Sequence, residues 1–187
     1  MPRQAKTWLI SDTHWGHEEM IKLCGRPEDF GVKIKANLKR LVAPQDTLIH
    51  LGDVIFYNYP ELKNILHSVP GRKVLVMGNH DGKTKGWYMN NGFDYCADMI
   101  VQDNIIFTHR PIQQFPSGVT INIHGHLHNT GHHPQGDWWK IGETHLLFVL
   151  EHHYGPIGLQ EFLHANLGKQ KYVVTHDREG AIQKDDL

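Results

Sequence analysis

The sequence predicts a layered α/β domain with some parallel strand pairing, and two observations carry that prediction. Apolar runs of strand length alternate with stretches of helical character through the first part of the chain, as in strands joined by crossover helices. Five such runs then end abruptly in Asp, Asn or His. That end is where open α/β sheets gather their ligands.

In chain order, Thr7-Trp8-Leu9-Ile10 runs into Ser11-Asp12-Thr13-His14, and Thr47-Leu48-Ile49-His50-Leu51 into Gly52-Asp53. Lys73-Val74-Leu75-Val76-Met77 runs into Gly78-Asn79-His80-Asp81. Ile105-Ile106-Phe107-Thr108 precedes His109-Arg110-Pro111, and Thr120-Ile121-Asn122-Ile123-His124 precedes Gly125-His126-Leu127-His128. Between the first three runs, Glu18 to Cys24 predicts a short helix, Ile34 to Val42 an amphipathic one, and Pro60 to His67 a third opened by its proline. From about Tyr95 to Leu150 helical signals thin out and hairpins are expected. Pro156 to Leu167 predicts a late helix stopped by Gly168. Beyond Tyr172-Val173-Val174, the polar tail from Asp177 to Leu187 is expected to be loosely held.

The 187 residues suit one domain spanning 1–187, with no repeat, low-complexity tract or long linker inside it. A hydrophobic fraction of 40% and a charged fraction of 21% are ordinary for a globular chain. No apolar run approaches bilayer length, so no membrane partner is expected. The start, Met1 to Thr7, lacks a signal-peptide apolar region, which gives a cytoplasmic expectation. Cys24 and Cys96 are too far apart in sequence to form a ligand pair by spacing and read as buried thiols. A net charge of −1 without a basic run advertises no strong grip on nucleic acid. The abnormal figure is 16 histidines, so their placement matters.

Asp12 and His14, two apart, can present a carboxylate and an imidazole on one side of an extended backbone, a pairing that suits Mn, Fe, Zn or Ni better than calcium. Alone the pair is weak, and a turn Asp near a surface His is then the favoured explanation. Gly52 permits a tight turn that presents Asp53, whose two oxygens can bridge two cations. Gly78-Asn79-His80-Asp81 is more specific: Asn79 offers an amide oxygen and His80 a proton carrier, whereas a plain Gly-Asn turn gives no reason for the His-Asp that follows. His109 by itself is the feeblest element. His126 and His128 at alternate positions can reach adjacent metals; the rival pair His124 and His126 is disfavoured because His124 still belongs to the apolar run.

Taken in order, Asp12-x-His14, Gly52-Asp53, Gly78-Asn79-His80-Asp81, His109 and Gly125-His126-x-His128 resemble the calcineurin-like metallophosphoesterase family over nearly the whole chain. Ser11-Asp12-Thr13-His14-Trp15-Gly16-His17 followed by Cys24-Gly25-Arg26-Pro27 is similar to a small bacterial and phage branch of it. The resemblance implies a four-layer αββα sandwich, two mixed sheets face to face with helices outside. It implies one metal site of Asp12, His14, Asp53 and His128 and a second of Asp53, Asn79, His109 and His126, with Asp53 shared. The cofactors would be two divalent ions, with Mn first in vitro, and the reaction phosphodiester or phosphomonoester hydrolysis by a hydroxide held between them. His80 would assist the leaving group, oriented by Asp81.

Arg110 is the first candidate for a phosphate clamp and Arg26 the second, ahead of Arg72 and Lys83, because guanidinium forks match phosphate oxygens. The expected partner is a small phosphoester, a nucleotide among the possibilities. His17, His132, His133, His152 and His153 have no assigned role. Three rivals stand beside this reading: a nuclease or cyclic-nucleotide phosphodiesterase of the same family, a catalytically silent metal-binding scaffold, and a histidine-rich metal buffer. A silent scaffold would be expected to have lost ligands or His80, and a buffer gives no reason for Gly-Asp and Gly-Asn-His-Asp at strand ends.

Overall fold

The computed structural model describes residues 3–129 and 143–168. Strands β1 (Thr7–Ile10), β2 (Thr47–His50) and β3 (Arg72–Val76) form where the apolar runs lie, and each buries all but its first residue. They pair in parallel, because helices carry the chain back from each strand to the next. The helices are α1 (Met20–Cys24), α2 (Phe30–Leu41) and α3 (Leu62–Ser68).

Helix α2 starts four residues before the expected Ile34. Phe30, Ile34 and Leu38 recur at helical spacing and face inward, each burial contributing roughly 1.5–3 kcal/mol. Helix α3 starts after Pro60-Glu61, which lie in the preceding turn rather than in the helix. A fourth helix, α4 (Lys85–Asn90), was not anticipated; the Thr84 hydroxyl caps it by accepting the Trp87 N–H at 3.1 Å.

The later runs form β4 (Tyr95–Ala97), β5 (Met99–Gln102), β6 (Ile105–Thr108), β7 (Ile121–His124) and β8 (His145–Leu147). The expectation of hairpins needs correction. Among β4 to β8 the β5–β6 pair alone is antiparallel, while β4 joins β3 in parallel and β6–β7 and β7–β8 are parallel too. The late helix also shortens: Ile157–Gly158 pairs with β1 as the antiparallel strand β9, and α5 spans Leu159–Asn166. Tyr172 to Val174, the tail from Asp177, His132 and His133 lie outside the described residues.

The result is two mixed sheets, in orders β4-β3-β2-β1-β9 and β5-β6-β7-β8. One buried apolar cluster joins Leu9, Ile10 and Leu75 of the first to Phe107, Ile123 and Leu146 of the second, so the sheets pack face to face with helices outside. No helix among the described residues is long and apolar enough to cross a membrane.

At the amino end of the first sheet a second polar centre holds elements together. The buried Asp46 carboxylate accepts the Trp8 indole N–H at 2.8 Å, the Lys6 and Ala43 backbone N–H groups, and the Arg3 guanidinium. Burial alone would raise its pKa, but these donors outweigh it and bring it to about 2.

Candidate metal centre

The five ligand-bearing loops follow β1, β2 and β3 in one sheet and β6 and β7 in the other, so both sheets deliver side chains to one place. Backbone hydrogen bonds continue the parallel pairing past the strand ends: Asp12 N–H donates to Gly52 O at 2.9 Å and His14 N–H to Asp53 O at 3.0 Å. Within the second sheet, Gly125 N–H donates to His109 O at 3.0 Å, and across the sheets His126 N–H donates to Asp12 Oδ2 at 3.1 Å.

Two glycines make this approach possible. Gly52 has φ +99°, as the expected tight turn requires. A Cβ on Gly125 would lie 1.9 Å from Ser11 Oγ and 2.4 Å from Asp12 Oδ2, so the loops could not close. Asp12, His14, Asp53, His126 and His128 all have positive φ, between 45° and 73°, conformations that cost non-glycine residues about 1–3 kcal/mol each.

The side chains meet in two groups. Ligand-type atoms of Asp12, His14 and His128 lie within 4.8 Å of one another, as do those of Asp53, His109 and His126. His109, which the sequence left as the weakest element, is fixed by a 2.8 Å hydrogen bond between Nδ1 and Leu51 O. Its Nε2 then faces Asn79 Oδ1 at 2.9 Å, His126 Nδ1 at 3.1 Å and Asp53 Oδ2 at 3.2 Å. Asp53 Oδ2 is also 3.6 Å from His14 Nε2. Asp53 Oδ1 instead accepts the His80 N–H at 2.8 Å. Asp53 Oδ2 thus faces imidazoles of both groups, while Oδ1 is turned to a backbone N–H.

The electrostatics fit cations. Burial works against protonating His109, yet the hydrogen bond and charge of Asp53, with the charge of Asp12, raise its pKa to about 9. Burial likewise opposes a charge on His128, but Asp12, Cys24 and Glu151 lift it to about 10. His14 and His126 are driven the other way by burial, His126 to about 3. Two carboxylates thus draw protons onto two imidazoles, each proton serving where the clustered lone pairs would accept a divalent ion.

His124 and His50 stay with the apolar runs. Both are buried, and burial keeps both neutral with pKa values of about 3; His50 Nε2 meets Thr13 Oγ1 at 3.0 Å. His80 is exposed, its ring centroid 5.3 Å from that of His14. Arg110 is half-buried, and its charge helps depress His126.

Further expectations are corrected. Asp81 does not orient the His80 imidazole: its carboxylate accepts the backbone N–H groups of Asp53, Val54 and Gly78 and the Tyr88 hydroxyl, locking two ligand loops together. Arg26 is no phosphate clamp. It is 2% exposed, donates to the Asp12 and Thr13 carbonyls, and pairs with Glu151 at 2.9 Å from Nε. Arg72 opens β3 and so lies at the end of the sheet remote from the ligand loops. Lys83 leans over the Trp87 ring, 5.9 Å from its centroid.

Glu151 is the residue that the sequence concealed. Its Oε1 lies 3.1 Å from His128 Nδ1, leaving His128 Nε2 toward Asp12 at 3.8 Å. A carboxylate fixing the far nitrogen of a ligand histidine sets its tautomer and ring direction. The only sequence signal was an acidic residue before His152-His153, in a 3-10 turn (Leu150–His152) that no periodicity announces.

A curated protein of Methanocaldococcus jannaschii, described as uncharacterized, is 31% identical over 136 residues, covering 66% of this chain and 69% of that one. The gene 66 protein of Mycobacterium phage L5 is 25% identical over 177 residues, covering 86% and 83%. A crystal structure of a protein of unknown function from Aquifex aeolicus superposes with a TM-score of 0.67 at 28% identity, covering 87% of this chain and all of that one. The calcineurin-like phosphoesterase family model matches residues 5–177, nearly the whole described fold and every ligand loop. The chain belongs to the calcineurin-like phosphoesterase family.

Proposed function

We propose that the protein hydrolyses phosphodiesters or phosphomonoesters at a pair of divalent cations, one held by Asp12, His14, Asp53 and His128, the other by Asp53, Asn79, His109 and His126. The observation that carries this reading is Asp53 Oδ2, 3.2 Å from His109 Nε2 and 3.6 Å from His14 Nε2, where one oxygen serves both groups. Bound there, the cations would supply a nucleophilic water at neutral pH and offset the charge of the phosphoryl group.

The chain's own residues do the rest. Asp53 and the glycine-enabled loops fix the spacing. Asn79, a neutral oxygen donor, keeps the centre from becoming over-anionic, so a net positive charge remains for a phosphate ester. His80, exposed beside His14, delivers a proton to the leaving oxygen. Arg110, next to His109 in the chain, would meet a phosphoryl oxygen.

The test is hydrolysis of bis-p-nitrophenyl phosphate. Metal-stripped protein is expected to be inactive and to regain turnover with Mn²⁺. A folded, metal-loaded sample inert on every monoester and diester tried would instead favour the silent scaffold.

A further inference from the structure

We infer that Phe56 and Tyr57 form a stacking platform for a flat ring carried on the alcohol side of the phosphoester, a nucleoside being the case the chemistry favours. This deepens the phosphoesterase reading and rests on it.

Four rings close a circuit at the edge of the metal centre. The His14 and His17 centroids are 5.5 Å apart, His17 lies flat on Phe56 at 3.7 Å and 2°, Phe56 is 6.2 Å from His80, and His80 is 5.3 Å from His14. Phe56 is therefore the apolar member of a wall otherwise made of imidazoles. It is pinned there by donating its N–H to Trp15 O at 3.0 Å. His17, a residue with no place in the ligand set, gains one: it is the spacer that holds Phe56 against the ligand His14.

Tyr57 extends this wall outward. Its ring meets Phe56 edge to face at 4.2 Å and 67°. At 80% exposure it is the most exposed large apolar side chain among the described residues. Its φ is +54°, a conformation that is a real outlier for a bulky side chain and is retained at functional sites. Chain connectivity adds to this, since Tyr57 follows Asp53 by four residues and the platform is carried on a metal loop.

The direction follows from His80. If that imidazole serves the leaving oxygen, the group on that oxygen departs past Phe56, its ring neighbour, toward Tyr57. A nucleobase or an aryl ring would find a face there; a flexible polyol would not. Stacking on exposed aromatic side chains tolerates any base, so the platform selects for flatness rather than for base identity.

The experiment uses the full chain loaded with Mn²⁺. A nucleoside 5′-monophosphate, phenyl phosphate and glycerol phosphate are compared as competitors of bis-p-nitrophenyl phosphate hydrolysis. The two flat ligands are expected to bind about tenfold or more tighter than glycerol phosphate, in line with stacking worth about 1–3 kcal/mol per base. Tyr57→Leu is expected to remove most of that advantage while glycerol phosphate binding and metal content stay unchanged. Tyr57→Trp, which restores a flat face, is expected to keep it. Equal binding of all three ligands, or a Tyr57→Leu loss shared equally by all three, would overturn the platform. Phenyl phosphate binding tighter than the nucleotide would overturn the nucleoside assignment. Calorimetric titration of the same ligands gives the same comparison without turnover, so a failure of the phosphoesterase reading, seen as an inert reporter assay, stays separate from a failure of this one.

Discussion

At the residue scale, two side chains separate chemistry from coordination. His80 contributes its backbone N–H to the ligand network, through Asp53 Oδ1, and its ring is exposed. His80→Ala is therefore expected to lower turnover by about 10²–10⁴-fold with both metals still bound, read by steady-state kinetics beside elemental analysis. Unchanged turnover would remove His80 from the reaction. Glu151 acts through another residue: it fixes His128 at Nδ1 and is itself held by the buried Arg26, which also grips the Asp12 and Thr13 carbonyls. Glu151→Gln keeps the shape but not the charge. It is expected to weaken the Asp12–His14–His128 site by about 10–100-fold and to leave the other site's affinity in place, as chelator titration would resolve. Equal weakening of both sites would make Glu151 a general structural residue.

At the scale of elements, much of the centre was legible because strand ends are. An apolar run that stops at Asp, Gly-Asp or Gly-Asn-His marks both the element and the atom it delivers, and Asp12, Asp53 and Asn79 lie together as that pattern expects. What stayed hidden is what periodicity does not encode. The parallel pairing of β6 with β7 and of β7 with β8 depends on where the intervening chain runs, and the short α4 depends on the Thr84 cap. Asp81 and Arg26 looked like site residues because they sit inside motifs; their work is to tie loops together, a property of long-range contact alone. The same kind of tie occurs at Asp46, far from the metal loops, and it has a pH signature. With a folded pKa of about 2 against an ordinary 3.8, its contribution is full above pH 3.8 and is lost as the pH falls toward 2. Asp46→Asn is expected to lower the melting temperature at neutral pH, and the gap to wild type to close between about pH 4 and pH 2 in thermal melts. A gap independent of pH would mean that the carboxylate charge contributes nothing.

At the scale of the whole molecule, the two sheets meet at one edge through candidate ligands, carboxylates of the first facing imidazoles of the second. Divalent ions that bind the folded chain and not the unfolded one shift its stability by mass action, by about 2.7 kcal/mol at a hundred times the dissociation constant. Adding Mn²⁺ to stripped protein is expected to raise the melting temperature by several degrees, and differential scanning calorimetry with and without chelator checks it. No change on saturation would mean that the ions do not bind between the sheets. The backbone at five of the ligands points to an evolutionary consequence. Asp12, His14, Asp53, His126 and His128 occupy turns in which glycine would relax the chain. A descendant freed from holding ions would gain sturdiness by drifting to glycine at those turns. At those turns the comfort of the backbone and the need for a side chain that can bind an ion pull in opposite directions.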